Sequence, residues 1–191
     1  MPTIFSHPAV PLALGGGLGR DVVPRRLLLA GVVASALPDL DVLTFRLGVP
    51  YPADLGHRGF SHSLFVAALV AVVGALAHRA LGSGFRRAFV FLFVATASHG
   101  ALDAFTNGGL GIAFLWPWSG ARYFAPAALR VIEVSPIGLS RFLSPRGLTV
   151  LESELRWIWL PALAVGLALA ALRRMLGSRR PPGPSGERTS G

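Results

Sequence analysis

The sequence contains no cysteine and no lysine, and only 14% of its 191 residues are charged. Without cysteine the protein can form no disulfide, and any metal ion must be held by nitrogen and oxygen ligands. A soluble domain averages about 25% charged residues, so this chain is short of the side chains that would keep its surface in water. Hydrophobic residues instead make up 52% of the chain, a composition that favours a membrane protein.

The basic residues do not point to a nucleic acid. All 18 are arginine, and the formal net charge is +9. The arginines are scattered or paired at the ends of apolar runs, without the interleaved aromatic residues of a nucleic-acid-binding surface. No nucleic-acid partner is therefore expected. The length suits one domain. We predict a membrane-embedded domain over residues 1–176 and a disordered tail rich in Arg, Pro and Gly over residues 177–191.

Four apolar stretches approach the length needed to cross a hydrocarbon core about 30 Å thick. They run over Leu27–Leu43, Ser63–Leu81, Ala88–Phe105 and Trp157–Leu172. A weaker stretch, Pro8–Leu18, contains three consecutive glycines and predicts only a short helix. The predicted fold is therefore all-α, a multi-span transmembrane bundle of about four spans plus a short N-terminal helix. Buried core helices of a soluble all-α protein are the alternative, but too few polar residues remain to cover them.

Arginine positions orient this bundle. Pairs lie between the weaker stretch and Leu27–Leu43, between Ser63–Leu81 and Ala88–Phe105, and after Trp157–Leu172: Arg25 and Arg26, Arg86 and Arg87, and Arg173 and Arg174. If the chain crosses the membrane at every stretch, all three pairs fall on one side. By the positive-inside rule that side is the cytoplasm. The long connection over residues 107–154 then lies outside, and we predict a multi-pass protein of the bacterial inner membrane.

Histidines and aspartates sort onto the outer end of this topology. The residues concerned are His7, Asp39, Asp41, His57, His62, His99 and Asp103. His78 alone falls on the cytoplasmic side. His99 and Asp103 are four residues apart and therefore project from one face of a helix. His57 and His62 can meet only if His57 lies on the loop before the helix.

This residue set suits a divalent metal and hydrolytic chemistry. An ionised aspartate inside the bilayer costs on the order of 3 kcal/mol or more, so such carboxylates are functional candidates. A divalent cation would supply the compensating charge, and nitrogen and oxygen ligands favour zinc, with manganese as the second choice. The metal activates water and polarises a phosphoryl or carbonyl oxygen, and a spare carboxylate, Asp39 or Asp41, can take the proton.

Taken singly, these residues have ordinary explanations. Asp39 and Asp41 could cap a helix end, and His99 and Asp103 could be a structural pair between spans. Their joint placement is what favours a metal site. Serines near the histidines lack the Gly-x-Ser-x-Gly motif of serine hydrolases. A non-catalytic metal-binding or transport membrane protein is the alternative function.

Four elements of the sequence resemble, in order and spacing, the YdjM-type membrane-bound metal-dependent hydrolases, also labelled LexA-binding, inner membrane-associated hydrolases. The elements are His7, Pro38-Asp39-Leu40-Asp41, the string His57-Arg58-Gly59-Phe60-Ser61-His62-Ser63, and Ser98-His99-Gly100-Ala101-Leu102-Asp103. The string around Ser61 is the most specific of them. The resemblance covers roughly residues 1–175.

The resemblance implies a function and roles for these residues. The family is distantly similar to zinc-dependent phospholipase C and P1-type nucleases, which implies a phosphoester or lipid-like substrate. The four histidines and three aspartates would be the metal positions, and Arg58, assigned as catalytic, and Arg122 would contact an anionic group of the substrate. The soluble zinc enzymes also use a glutamate, but Glu133, Glu152 and Glu154 lack the expected motif. A LexA partner is implied by the family label alone.

Overall fold

The computed structural model describes residues 1–136 and 138–177. Seven α-helices follow one another in these residues: α1 (Ala9–Leu18), α2 (Arg25–Ala36), α3 (Leu64–Leu76), α4 (Phe85–Ala104), α5 (Leu139–Phe142), α6 (Pro145–Glu154) and α7 (Leu160–Gly177). A 3-10 segment, Leu37–Leu47, continues α2, and a π-helical turn, Leu155–Trp159, joins α6 to α7. Within these residues there is no β-strand, only two isolated β-bridges. The all-α prediction is confirmed.

Local sequence sets the ends of these helices. Pro38 lies two residues after the end of α2 and lacks the N–H that an α-helix needs, so the chain continues as the tighter 3-10 segment. This segment ends at Gly48, which has a left-handed backbone (φ 75°). Before α3, the hydroxyl oxygen of Ser63 accepts the N–H of Val66 at 3.1 Å and caps the helix. The end of the 3-10 segment and the start of α3 therefore bound a loop over residues 48–63, which carries the polar string of residues 57–63.

Helices α2, α3 and α4 form the main apolar core. Its fully buried side chains are small or branched and include Leu27, Ala71, Ala75, Ala88 and Leu92. Small residues allow the helices to approach closely, as expected for helix pairs in a membrane. The start of α2 packs near the start of α4, and the Ser35 carbonyl near the end of α2 contacts His99 near the end of α4. These two helices therefore run parallel and end at the same level.

Helices α1 and α7 form a second parallel pair. A Cβ atom on Gly17 would lie 2.6 Å from the Cβ of Leu169 and 2.9 Å from the carbonyl oxygen of Gly166, so the two backbones are close there. Small residues recur at every fourth position along the facing sides: Ala9, Ala13 and Gly17, and Ala162, Gly166 and Ala170. This spacing is typical of membrane helices that pack through their backbones.

The number of membrane spans is only partly as predicted. Two helical segments are long and apolar enough to cross a membrane, Arg25–Leu47 and Pro145–Gly177. Helix α3 has 13 residues and ends at Leu76 instead of Leu81, and α4 begins with an arginine pair that lowers its hydropathy. Helix length thus does not confirm a four-span bundle. In Pro145–Gly177 only 6% of the most apolar window is buried, so its apolar side chains face outward, as in a helix surrounded by lipid.

The predicted tail over residues 177–191 stays a prediction. Gly177 is the last residue of α7, whereas the tail was predicted to begin there. The rest of the predicted tail, residues 178–191, lies outside the described residues.

Replacing Gly17 by alanine tests the α1–α7 contact. The added methyl group must push the helices apart, so we expect the free energy of unfolding to fall by about 1–3 kcal/mol. Gly16→Ala is the matched control, because a Cβ atom on Gly16 meets nothing within 4 Å. The control should be neutral or slightly stabilising, since alanine is the better helix former. Thermal unfolding in detergent measures both, and equal stability of the two variants would contradict the close contact.

Candidate metal centre

The seven predicted ligand residues lie together at one end of the helix bundle. His7 precedes α1, Asp39 and Asp41 lie in the 3-10 segment after α2, His57 and His62 precede α3, and His99 and Asp103 lie in the last turns of α4. All seven side chains are buried, with at most 5% of any residue exposed. His78 lies in the turn after α3, away from this cluster, where its Nδ1 is 3.0 Å from the carbonyl oxygen of Ser83. The structure therefore brings together the residues that the sequence singled out.

Four ligand atoms in this cluster have the mutual spacing of a metal site. They are Nε2 of His62, Nε2 of His99, Oδ1 of Asp39 and Oδ2 of Asp103. Nε2 of His99 lies 3.0 Å from Nε2 of His62 and 3.3 Å from the Asp39 oxygen. Three further separations are 3.3 Å from Nε2 of His62 to Oδ2 of Asp103, 3.9 Å from Nε2 of His99 to Oδ2 of Asp103, and 4.0 Å from Nε2 of His62 to Oδ1 of Asp39. Ligands about 2.1 Å from a tetrahedral zinc ion are about 3.4 Å apart, which matches this range.

The cluster contains two adjoining groups of possible ligands. His7, His99 and Asp103 form one, and Asp39, His57 and His62 form the other, each with ligand atoms within 4.8 Å of one another. The ring of His7 stacks on that of His99, with centroids 3.5 Å apart. Nε2 of His7 is 3.6 Å from Oδ2 of Asp39, so the two groups touch. The set is large enough for one or two ions.

Acceptors beside the rings of His99 and His62 direct the Nε2 atoms of these rings toward the centre of the cluster. Nδ1 of His99 lies 2.7 Å from the carbonyl oxygen of Ser35, an acceptor that places the ring proton on Nδ1 and the lone pair on Nε2. In the 3-10 hydrogen-bond pattern that follows α2, residue 38 would donate its backbone N–H to the Ser35 carbonyl. Pro38 has no N–H, which leaves this carbonyl available to His99. Nδ1 of His62 lies 3.2 Å from Oδ2 of Asp41, a carboxylate that orients its ring in the same way. Buttressing of this kind is usual for metal-binding histidines.

The three aspartates differ in how their oxygens are used. Asp41 accepts hydrogen bonds from the hydroxyl of Ser61 at 2.6 Å and the backbone N–H of Arg58 at 3.2 Å, and its Oδ1 lies 2.6 Å from Nδ1 of His57. Among the described residues, neither oxygen of Asp39 or Asp103 and neither nitrogen of His7 has a hydrogen-bond partner. Buried polar atoms are nearly always paired, so these atoms fit a bound cation. This geometry favours a positioning role for Asp41, which the sequence assigned as a metal ligand and catalytic residue.

The charges of the buried side chains in the cluster favour binding of a cation. Burial disfavours the charged form of His62, but the carboxylates of Asp103 and Asp41 outweigh it and raise the pKa of His62 to about 9. Burial lowers the pKa of His7 to about 3, which keeps this imidazole neutral and available as a ligand. Three carboxylates face a single guanidinium, that of Arg58. The N-terminal amino group of Met1 also lies near Asp103 and Asp39, but burial lowers its pKa to about 6, so the three carboxylates still outnumber Arg58 and a protonated His62.

Arg58 is committed to the protein itself. It is fully buried, and its guanidinium donates to the carbonyl oxygens of Gly108 at 3.0 Å and Leu110 at 2.8 Å and to the hydroxyl of Thr106 at 3.0 Å. Its Nε lies 3.3 Å from Oδ2 of Asp103 without the alignment of a hydrogen bond. The predicted contact with an anionic substrate would require a free guanidinium. The geometry instead favours a role in positioning Asp103 and the loop after α4.

Arg122, like Arg58, donates its hydrogen bonds to backbone carbonyl oxygens of the protein. Its guanidinium donates to three carbonyl oxygens of the loop before α3: His57 at 3.2 Å, Pro52 at 3.3 Å and Ala53 at 3.0 Å. It also donates to Gly111 at 3.4 Å. This arginine therefore fixes the backbone that carries His57. It was predicted as a substrate contact, and this arrangement favours loop anchoring.

Glu154, which the sequence analysis did not place, anchors the N-terminal segment. Its carboxylate, in a residue only 1% exposed, accepts hydrogen bonds from the backbone N–H and hydroxyl of Thr3 and, at 2.7 Å, from the hydroxyl of Ser6. Nε1 of Trp159 donates to the same Ser6 oxygen at 3.0 Å. The residue before His7 is thus fixed to the junction of α6 and α7. The helical spacing of the buried residues Gly147, Val150 and Glu154 is the signal that could have revealed it.

The comparisons with known proteins agree with this architecture. A family model described as "YdjM inner membrane protein" matches residues 1–177. The chain belongs to the YdjM inner membrane protein family. It is 49% identical over 166 residues to "Inner membrane protein YbcI" of Escherichia coli (strain K12), and the alignment covers 85% of this chain and 94% of that protein. No solved structure matches the chain.

Family membership confirms part of what the sequence predicted. The predicted family and the inner-membrane location are correct. Both names give a location and no activity. The hydrolase, zinc and substrate assignments and the LexA partner therefore stay predictions, as do the site's outward orientation and the multi-pass topology.

Removing the Glu154 carboxylate should weaken metal binding at a distance. Glu154→Ala leaves the donors on Thr3 and Ser6 without an acceptor and frees the segment that carries His7. We expect the affinity for zinc to fall by about tenfold, the lower end of the effect of outer-shell partners. Glu152→Ala, an exposed glutamate on the same helix, is the control and should leave the affinity unchanged. Isothermal titration of the metal-free protein measures both, and equal affinities would show that Glu154 does not position His7.

Proposed function

We propose that this YdjM-family protein is a metal-dependent hydrolase of the inner membrane that cleaves a phosphoester or lipid-like substrate. The proposal rests on the buried nitrogen and oxygen atoms of His7, Asp39 and Asp103, which have no hydrogen-bond partner among the described residues. Asp39 lies 3.3 Å from His99 and Asp103 lies 3.3 Å from Arg58, but neither carboxylate accepts a hydrogen bond from a described residue, and an incompletely compensated buried charge costs several kcal/mol. A divalent cation would offset this cost for all three side chains.

The candidate ligands are His62, His99, Asp39 and Asp103, with His7 and His57 adjoining them. A divalent cation, zinc as the first choice and manganese as the second, supplies Lewis-acid activation of water and of a phosphoryl oxygen. Asp41 holds the ring of His57 through Nδ1 at 2.6 Å. His57 can then offer Nε2 as a ligand or accept a proton there, with Asp41 stabilising the charged ring.

Membrane topology supports a site toward the outer face. The arginine pairs at the start of α2, the start of α4 and the end of α7 all lie at the bundle end opposite the cluster. The positive-inside rule assigns that end to the cytoplasm. We propose that α3 and α4 also cross the membrane, giving four spans. Helix α3 is about 20 Å long, so the bilayer must thin locally or the adjoining turn must enter it.

A transport function is less well supported. The buried ionisable side chains among the described residues all lie at the cluster end. The other half of the α2–α3–α4 core consists of apolar residues such as Leu27, Ala75 and Ala88. An ion crossing the bundle would need polar groups along its path. A non-catalytic metal-binding protein remains the competing proposal, and turnover distinguishes it.

Paired aspartate variants test the metal site. Asp39→Asn should abolish stoichiometric metal, because it removes a direct ligand. Asp41→Asn should retain metal with an affinity about 10–100-fold weaker, because it only loosens His57 and His62. Asp54→Asn, on an exposed loop, is the control and should behave as wild type. Elemental analysis of detergent-purified protein measures the content, and a wild type without stoichiometric metal would refute the proposal.

Turnover is the second test. The metal-loaded protein in lipid nanodiscs should release product from a panel of phosphoesters, with activity lost on chelation and in His62→Ala. The His78→Ala variant, away from the cluster, should keep full activity. Stoichiometric metal without cleavage of any phosphoester or ester would favour the non-catalytic metal-binding protein.

A further inference from the structure

Two apolar clefts reach the metal cluster from different sides. The first, the Asp39 cleft, has a volume of about 320 Å³ and is lined by Ile4, Phe5, Asp39, Val42 and Phe142 among others. The second, the Asp41 cleft, has a volume of about 290 Å³ and is lined by Leu40, Asp41, Phe60, Val66 and Val70 among others. Both are large enough for part of a small ligand and are walled by hydrophobic side chains. Each ends at a different carboxylate of the cluster.

The two carboxylates differ in what they can still bind. Asp39 is 3% exposed, and neither of its oxygens has a hydrogen-bond partner among the described residues. Asp41 is engaged with Ser61, His57 and Arg58. A ligand group in the Asp39 cleft therefore reaches a side chain that is free to share a cation with it. A ligand in the Asp41 cleft reaches one whose oxygens are already occupied.

We propose that the Asp39 cleft is the substrate site and that it binds the hydrocarbon chain of a phospholipid from the adjacent leaflet, with the phosphoester placed at Asp39. This rests on the proposed function. Asp39 is the one ionisable side chain that lines the cleft. Met1, which carries the N-terminal amino group, lines it too, and the other walls are apolar apart from Thr3 and Ser135. This distribution matches a ligand with one polar group and a chain.

The mouth and the charge of the cleft support the same ligand. Phe5 is 72% exposed and Ile4 42% exposed at the edge of the cleft. In a membrane protein, exposed apolar residues beside an opening allow entry directly from the bilayer. No arginine lines the cleft. A polyanion such as a nucleotide would meet at most one cationic group there, the N-terminal amino group of Met1, so a singly charged phosphoester with a chain fits better.

Matched cleft-filling variants test the proposal by binding alone. Val42→Trp fills the Asp39 cleft, and Val66→Trp, another half-buried valine, fills the Asp41 cleft. The probes are hexylphosphonate and methylphosphonate, which cannot be hydrolysed. Isothermal titration of the metal-loaded protein should show at least a tenfold preference of wild type for hexylphosphonate, since each buried methylene adds affinity. Val42→Trp should lose this preference, and Val66→Trp should keep it.

The outcomes separate this inference from the proposed function. Equal binding of the two probes to wild type, or loss of the preference in Val66→Trp alone, would overturn the Asp39 cleft while leaving the metal site intact. A chain-length preference that persists in protein lacking metal would support the cleft even if the hydrolase proposal fails. Should Val42→Trp not fold, Phe5→Ser at the exposed mouth gives the same test and should reduce hexylphosphonate binding about threefold to tenfold.

Discussion

Burial of three carboxylates at the end of an apolar bundle is the constraint on which the rest of this structure depends. In a medium of low dielectric each carboxylate must be paired or neutralised. Asp41 is satisfied by hydrogen bonds, and Asp103 lies beside the guanidinium of Arg58. Asp39 has neither, and it lies against two histidines whose Nε2 atoms are 3.0 Å apart. Two lone pairs at that distance repel unless a proton or a metal ion lies between them, so the whole cluster is built around a positive charge.

The surrounding helices and loops hold the side chains of the cluster in position. Helices α2 and α4 end at one level, which lets the Ser35 carbonyl fix the ring of His99. The loops before α3 and after α4 would be free to move on their own, but Arg58 and Arg122 bind their backbone carbonyl oxygens. The contacts of these arginines favour ordering of the site over the predicted contact with substrate. A rigid shell of this kind preserves ligand spacing when the ion is absent and lowers the entropy lost when it binds.

Much of the site was readable from the sequence, because polar residues in a strongly apolar chain are conspicuous. His7, Asp39 and His99 lie where the alternation of apolar stretches placed them. Their roles were less readable, since they depend on contacts between distant segments. Asp41 and Arg58 differ from the candidate ligands only in the donors and acceptors around them. Glu154 is bound to Thr3 and Ser6, about 150 positions away. The apolar stretch Ser63–Leu81 also predicted a longer helix than α3, which ends at Leu76. The turn that follows is closed by backbone hydrogen bonds such as that from the Ser83 N–H to the His78 carbonyl oxygen, which hydropathy does not reveal.

The candidate metal ligands come from two separate parts of the helix bundle. His7 belongs to the segment before α1, and α1 packs chiefly on α7. Asp39, His62 and His99 belong to the α2–α3–α4 core. An ion shared between these groups would join the α1–α7 pair to the core, and its binding free energy would add to the stability of that junction. The Asp39 cleft lies at the same junction, between the N-terminal residues and the 3-10 segment after α2. Occupancy of the metal site would therefore also hold the walls of the cleft together, so ion binding and ligand binding should reinforce each other.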